Sequence, residues 1–308
     1  MRAFVFPGQG AQSTGMGRDL ADAYPAARTV FEEVDDALGE KLSDVIWGED
    51  AEALTLTANA QPALMATSMA AIRALEAEGV AVTDASYLAG HSLGEYSALC
   101  AAGAIGLADT ARLLRIRGRA MQEAVPVGEG AMAALLGLDL DTVREVVAEA
   151  GGTVQAANDN DPAQVVVSGE RAAVERAVEI AQGRGARRAV MLPVSAPFHC
   201  SMMAPAARAM AEALDDVEIA RPSVPVVANV LAQEVGDTHA IRSLLVDQVT
   251  GMVRWRESVE WMAGQGVDAF WEIGAGKALS GMIRRIAKGA ETRQVGTAAE
   301  VQAAKEAA

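Results

Sequence analysis

ASYLAGHSLGEYSALCAAGAI, residues 85–105, runs from a short apolar segment through a turn set between two glycines into a segment patterned for a helix. A strand, a tight turn and a helix in that order make one unit of a parallel sheet, because parallel neighbours need a crossover and a helix usually supplies it. The same order recurs at both ends of the chain. RAFVFPGQGAQ at 2–12 reads as a buried strand entering a glycine turn, followed by a helix over 18–38. DAFWEIG at 268–274 leads into GKALSGMIRRIAK at 276–288. QPALMATSMAAIRALEAEG at 61–79 adds a strong helical pattern ended by Gly79. The expected class is α/β, a mostly parallel sheet covered on both faces.

Between Pro126 and Pro193 the order changes. The pattern predicts strands at 130–138, 153–157, 164–168 and 187–192 and helices at 139–150 and 170–184, which is β-α-β-β-α-β, the ferredoxin-like order. Residues 126–193 therefore read as a small domain inserted into a large domain made of 1–125 and 194–308, with a ligand cleft between them. Thr297 and Glu300 have capping-box spacing, so the tail begins a final helix.

Composition bounds the function. A chain of 308 residues that is 51% hydrophobic can bury a substantial core. Its net charge of −15 argues against general nucleic-acid binding, which needs cations to displace counterions from phosphates. Positive charge is clustered at Arg112, Arg115, Arg117 and Arg119, at Arg184, Arg187 and Arg188, and at Lys277, Arg284, Arg285 and Lys288. Such clusters suit a small anion, an acidic partner or simply solvated helix faces. The apolar run Ala3–Phe6 is too short for a secretion signal and no charge-free stretch spans a membrane, so a cytoplasmic protein is expected. Cys100 and Cys200 match no metal spacing and are expected to be free; Cys200, beside His199, is a minor nucleophile candidate. No metal site is expected. GAGK at 274–277 lacks the earlier glycine of a phosphate-binding loop, because Trp271 stands there.

Gly90-His91-Ser92-Leu93-Gly94 has the G-x-S-x-G spacing between predicted strand and helix, the setting of a nucleophile elbow. A serine hydroxyl needs a base, and the chain has three histidines. His91 sits in the sharp turn and should point elsewhere, and His239 falls in a polar stretch read as an exposed loop. His199 follows Pro197 at a predicted domain junction and is the favoured base. No acidic residue is an obvious third member, and a backbone carbonyl could orient the histidine instead. The amide of Leu93 is a natural oxyanion donor, and the Gly8-Gln9-Gly10 turn could supply a second.

On a helical wheel begun at Arg112, Arg115 and Arg119 fall within about 60°, on a polar face, whereas Arg117 falls near 140°, inside the arc of Ile116, Ala120, Leu113, Met121 and Leu114. An inward guanidinium needs an anionic partner. That partner is either an internal carboxylate or the carboxylate of a substrate, held by the planar fork of arginine. With a nucleophilic serine, the second option points to an acyl group carrying its own negative charge, of which malonyl is the simplest.

These residues resemble the malonyl-CoA:acyl carrier protein transacylase family over nearly the whole chain, in FPGQGAQSTGMG at 6–17, NAQPAL at 59–64, GHSLGEYSAL, RGRAMQEAVPVGEGAM at 117–132, NDNDPAQVVVSG at 158–169, PVSAPFHCSMM at 193–203 and VDQVTGMVRW at 246–255. The resemblance implies a hydrolase-like α/β domain with a ferredoxin-like insert; a monomer is expected. It implies ping-pong transfer of malonyl from malonyl-CoA to an acyl carrier protein, with no cofactor beyond the coenzyme A of the substrate. By position it makes Ser92 the nucleophile, His199 the base, Arg117 the carboxylate clamp, Gln9 and Leu93 the oxyanion amides, and Gln248 the carbonyl that orients His199. Asn158 and Asn160 fall where the family contacts the pantetheine arm, and Phe198 fits a small acyl pocket. Arg187, Arg188, Lys277, Arg284 and Arg285 could dock the carrier. A polyketide acyltransferase would share these motifs; a serine esterase would leave Arg117 without a purpose, and a non-catalytic scaffold would not require Ser92, His199 and Arg117 together.

Overall fold

The computed structural model describes residues 1–194 and 196–306; Ser195, inside the PVSAPFHCSMM stretch, and residues 307–308 lie outside them. In chain order the first elements are β1 (Arg2–Phe6), α1 (Arg18–Ala23), α2 (Pro25–Leu38), α3 (Leu42–Trp47), α4 (Ala51–Thr55), α5 (Thr57–Ala77), β2 (Tyr87–Gly90), α6 (Gly94–Ala101) and α7 (Leu107–Glu123). A second group follows: β3 (Gly130–Leu136), α8 (Leu140–Ala150), β4 (Val154–Asp161), β5 (Gln164–Glu170), α9 (Arg171–Gly183) and β6 (Arg188–Met191). The chain then gives α10 (Ala204–Asp215), β7 (Val226–Ala228), β8 (Gln233–Val235), α11 (Thr238–Thr250), α12 (Trp255–Gly264), β9 (Ala269–Ile273), α13 (Ala278–Ile286), β10 (Glu291–Val295) and α14 (Ala298–Lys305).

Two sheets result, and the class is α/β as expected. The larger has the order β10-β9-β1-β2-β7-β8, parallel throughout except for the antiparallel β7–β8 pair. Its centre is β1, whose Ala3, Phe4, Val5 and Phe6 are fully buried, with Phe4 stacked on Trp271 of β9 at 5.6 Å. A continuous apolar strand of this kind is what helices on both faces require. The smaller sheet is antiparallel in the order β4-β5-β3-β6. One face packs on α8 and α9 through Ala133, Leu135, Val143, Val165, Val167 and Val174. The other face contributes Met132, Ala134 and Val166 to the main core.

The departures from the sequence reading have local causes. The helix expected over 18–38 is two, because Tyr24 is extended (φ −125°) and Pro25 starts α2 without an amide to donate backwards. The strand expected at 153–157 continues to Asp161, which carries Asn158 and Asn160 on β4 rather than in a loop. His239 lies in the first turn of α11, still exposed, after the N-cap Asp237. The capping box is present, with Thr297 Oγ1 accepting from the Glu300 amide at 3.2 Å and Glu300 Oε2 from the Thr297 amide at 3.0 Å. Among the described residues no helix is long and apolar enough to cross a membrane.

Two features of this framework set the site. The carboxyl ends of β1, β2 and β7 lead directly to Gln9, Ser92 and Asn229, so one edge of the parallel sheet gathers three turns, where open α/β sheets form their crevices. The ends of β9 and α13 join them: the buried Glu272 accepts from the Leu279 amide (3.0 Å), the Ser280 amide (2.8 Å) and Ser280 Oγ (2.7 Å), fixing α13 over that edge.

Candidate active site

The turn after β2 is as sharp as its glycines suggested. A Cβ on Gly90 would lie 1.9 Å from the Gly94 carbonyl carbon, and one on Gly94 would lie 2.3 Å from the Phe6 oxygen. Ser92 between them has φ 54°, in the left-handed region that a side chain seldom occupies. His199 shares that conformation at φ 57°. Backbone strain of this kind collects where geometry serves function.

Ser92 Oγ lies 2.7 Å from His199 Nε2, and His199 Nδ1 lies 2.9 Å from the Gln248 carbonyl oxygen. A carbonyl only accepts, so Nδ1 carries the proton, Nε2 presents its lone pair, and the serine hydroxyl donates to it. Burial, with Arg117 adding to it, pushes the imidazole down from 6.5 to about 3, so it is neutral at pH 7 and able to take a proton.

Arg117 is buried at 1% exposure and comes from α7 at the point where that helix crosses α5. The crossing is close: a Cβ on Gly118 would meet the Thr57 oxygen at 2.6 Å. Pro62 inside α5 leaves the Ala58 carbonyl without its helical donor, and Arg115 Nη1 supplies one at 2.6 Å. Arg115 is therefore buried, not on the polar face where the wheel placed it, while Ile116 is exposed. Arg117 Nη1 donates to Gln61 Oε1 at 2.7 Å, and its Nη2 donates to Gln248 Oε1 at 2.9 Å and to Ser92 Oγ at 3.2 Å. Among the described residues no carboxylate forms an ion pair with it. Its side-chain hydrogen-bond partners are two carboxamides and the Ser92 hydroxyl, none of them charged, and the Tyr96 ring lies 5.6 Å from its central carbon.

The nearest acid is Glu95, in the first turn of α6, whose carboxyl burial pushes up from 4.5 to about 7. Its Oε2 accepts from Gln248 Nε2 at 2.7 Å and from the Asn229 amide at 3.0 Å. Gln61, Glu95 and Asn229 were not singled out from the sequence. Glu95 had a visible signal, as the lone charge in GEYSALCAAGAI, and so had Asn229, a polar residue inside the apolar VPVVANV.

A cavity of about 410 Å³ opens above these residues. Gln9, Ser92, Leu93, Arg117, Phe198 and His199 line it, with Asn158 and Asn160 on the β4 side. Neither the Gln9 nor the Leu93 amide has an acceptor among the described residues. His91 also lines the cavity and its Nε2 donates to Asn160 Oδ1 at 2.8 Å, tying the serine turn to β4. Cys200 is buried, donates its thiol to the Pro197 oxygen at 3.1 Å and is pushed up by burial, which takes it out of contention as nucleophile. Both cysteines are free. Among the described residues no group of acids, histidines and cysteines could hold a metal ion.

The basic residues expected to dock the carrier do not line the cavity. Lys277, Arg284 and Arg285 lie on or next to α13, whose Leu279 and Met282 do, and Arg285 Nε is held by Asp161 at 2.7 Å. Arg187 and Arg188 are exposed at the start of β6, at the opposite end of that strand from Leu192 and Val194, which line the cavity.

Residues 3–304 match the family described as acyl transferase domain. The chain belongs to that family. It is 47% identical over 287 residues to the malonyl CoA-acyl carrier protein transacylase of Bacillus subtilis, covering 92% of this chain and 90% of that protein. It is 46% identical to the protein of the same name from Escherichia coli K12, covering 92% of each. Among solved structures, an acyl-carrier-protein-S-malonyltransferase from Bartonella henselae superposes with a TM-score of 0.97 at 58% identity, covering 99% of this chain and 98% of that one. A malonyl-transacylase in complex with its type II PKS acyl-carrier protein gives a TM-score of 0.96 at 43% identity, covering 100% of this chain and 99% of that one.

Proposed function

We propose that this acyltransferase moves a malonyl group from malonyl-CoA to the pantetheine thiol of an acyl carrier protein, through a malonyl ester on Ser92, in fatty-acid synthesis. The observation that carries the proposal is Arg117: a guanidinium at 1% exposure, 3.2 Å from the serine hydroxyl and oriented by two carboxamides, with no carboxylate ion pair among the described residues. Gln61, Gln248 and Ser92 occupy three of the five N–H donors of arginine and Nε is buried without a partner, so a substrate carboxylate would be received at the two terminal nitrogens, where the Ser92 contact can give way to it. The names of the relatives agree with this reading.

In the proposed reaction Ser92 Oγ passes its proton to His199 Nε2 and attacks the thioester carbonyl. The amides of Gln9 and Leu93 receive the oxyanion. The imidazolium, steadied at Nδ1 by the Gln248 carbonyl, then gives its proton to the departing coenzyme A thiolate, leaving the ester on serine. The carrier thiol reverses the steps. Asn158 and Asn160 face the pantetheine arm and Phe198 bounds the acyl pocket. No resident cofactor takes part, since coenzyme A arrives as part of the substrate.

The proposal extends to architecture and setting. Residues 126–193 form a ferredoxin-like insert, supported by the strand order β4-β5-β3-β6, in a hydrolase-like domain of 1–125 and 194–308. The protein works as a monomer in the cytoplasm, which the two free cysteines support. Arg187 and Arg188, with the α13 cluster, form the carrier surface.

Intact mass after brief exposure to malonyl-CoA tests the reaction. A malonyl adduct that Ser92→Ala abolishes and that moves to added carrier is expected; an adduct lost to water equally fast without carrier would indicate an esterase. A second acceptor, a polyketide-type carrier, is favoured by the 43% identical neighbour solved with one, and parallel assays with both carriers separate the two.

A further inference from the structure

We infer that Glu95 is a positioning residue for acyl transfer, holding the Ser92 peptide and the Arg117 guanidinium in register through Asn229 and Gln248. The inference rests on the roles proposed above for Ser92 and Arg117.

Ser92 occupies its left-handed conformation with both peptide groups held by side chains. Its amide donates to Asn229 Oδ1 at 2.8 Å, and its carbonyl accepts from Gln248 Nε2 at 3.0 Å. Asn229 is itself pinned, its Nδ2 donating to the Gly90 carbonyl at 2.6 Å. Both holding residues converge on one atom, Glu95 Oε2, which accepts from Gln248 Nε2 at 2.7 Å and from the Asn229 amide at 3.0 Å. All three are buried at 2% exposure or less.

The orientation of the Gln248 carboxamide follows from this. With Nε2 drawn to Glu95 and to the Ser92 carbonyl, Oε1 faces the other way and accepts from Arg117 Nη2 at 2.9 Å. A carboxamide turned over would set two N–H groups against the guanidinium. Gln248 thus acts twice, its backbone carbonyl on His199 and its side chain on Arg117 and Ser92, and Glu95 governs the second action. Glu95 touches no reacting atom. It needs only an acceptor oxygen at that point, which a carboxamide also provides.

The test compares Ser92 acylation by malonyl-CoA and by acetyl-CoA, read by rapid quench and intact mass and normalised to the acylatable fraction. Glu95→Met keeps the volume and removes the acceptor. It should slow both reactions and lower the malonyl-to-acetyl ratio by about tenfold, the loss of one hydrogen bond to a charged group. Glu95→Gln should keep the ratio within about threefold of wild type, since its oxygen can make the same two contacts. Adding Glu95→Met to Gln248→Met should lower the ratio no further than Gln248→Met alone. Should Glu95→Met fail to fold, Glu95→Asp, which withdraws the acceptor by one methylene, carries the same expectation. An unchanged ratio in Glu95→Met, a ratio in Glu95→Gln as low as in Met, or full additivity with Gln248→Met overturns the inference while the proposed function stands. A wild-type protein with no preference for malonyl overturns the reading of Arg117 and this inference with it.

Discussion

Replacing Arg117 by Ala should separate malonyl from acetyl transfer. The substrate carboxylate would enter a site where the guanidinium is 1% exposed and would be received by its two terminal nitrogens. Each charge-assisted hydrogen bond contributes about 1.5–3 kcal/mol, so two give about 3–6 kcal/mol. At about 1.4 kcal/mol per factor of ten, kcat/KM for malonyl-CoA should fall by about 10²–10⁴. Acetyl-CoA never makes that contact. Removing Arg117 also removes a positive charge that helps to hold His199 well below its ordinary value, which makes the imidazole a better base. Acetyl transfer should therefore stay within about tenfold of wild type or improve. Steady-state transfer to carrier protein from both thioesters, with a thermal melt to confirm folding, measures the two numbers. Equal loss for both acyl groups would refute the carboxylate clamp and leave Arg117 as a structural residue.

Other outcomes follow from the same geometry. The acid limb of kcat/KM should lie near the His199 value of about 3, far below an ordinary histidine at 6.5, and an acid limb at 6–7 would contradict the burial argument. Stability carries the same sign: because the folded value is depressed, the His199 contribution is present above 6.5 and lost as pH falls toward 3. Glu95 runs the other way, its raised value giving stability that is present below 4.5 and lost as pH rises through about 7. The two slopes oppose between 4.5 and 6.5, so Glu95→Gln should expose a stability that rises with pH by about 1.4 kcal/mol per unit there, read from urea midpoints. Gly90→Ala should cost about 3 kcal/mol or more and abolish acylation, since its Cβ would overlap the Gly94 backbone at 1.9 Å. Reversing charge at Arg187 and Arg188 should raise KM for the carrier while leaving acylation by malonyl-CoA unchanged, and unaltered carrier kinetics would remove that surface from the docking proposal.

Much of this was legible in the chain because it is encoded locally. The turn at Ser92 is written in two glycines and its flanking strand and helix, and the alternating order of elements around it specifies a parallel sheet. Arg117 was visible as a charge in an apolar arc. What escaped is encoded by contacts distant in sequence. Gln61, Glu95 and Asn229 acquire their meaning from α5, α6 and β7 meeting at one point, and no spacing announces it. Arg115 shows the limit of a helical wheel: its burial depends on the carbonyl that Pro62 leaves open on a neighbouring helix. The three-residue strands β7 and β8 carry too few residues for a periodic signal, β10 reads ETRQV with no apolar run, and all three are defined by their pairing partners.

Both side chains proposed to react stand on backbone that glycine would occupy with less strain. Left-handed residues of this kind cost on the order of 1–3 kcal/mol each. At positions 92 and 199 the backbone conformation and the side chain thus pull in opposite directions, and the packing and hydrogen bonds of each side chain must offset the strain of its own backbone.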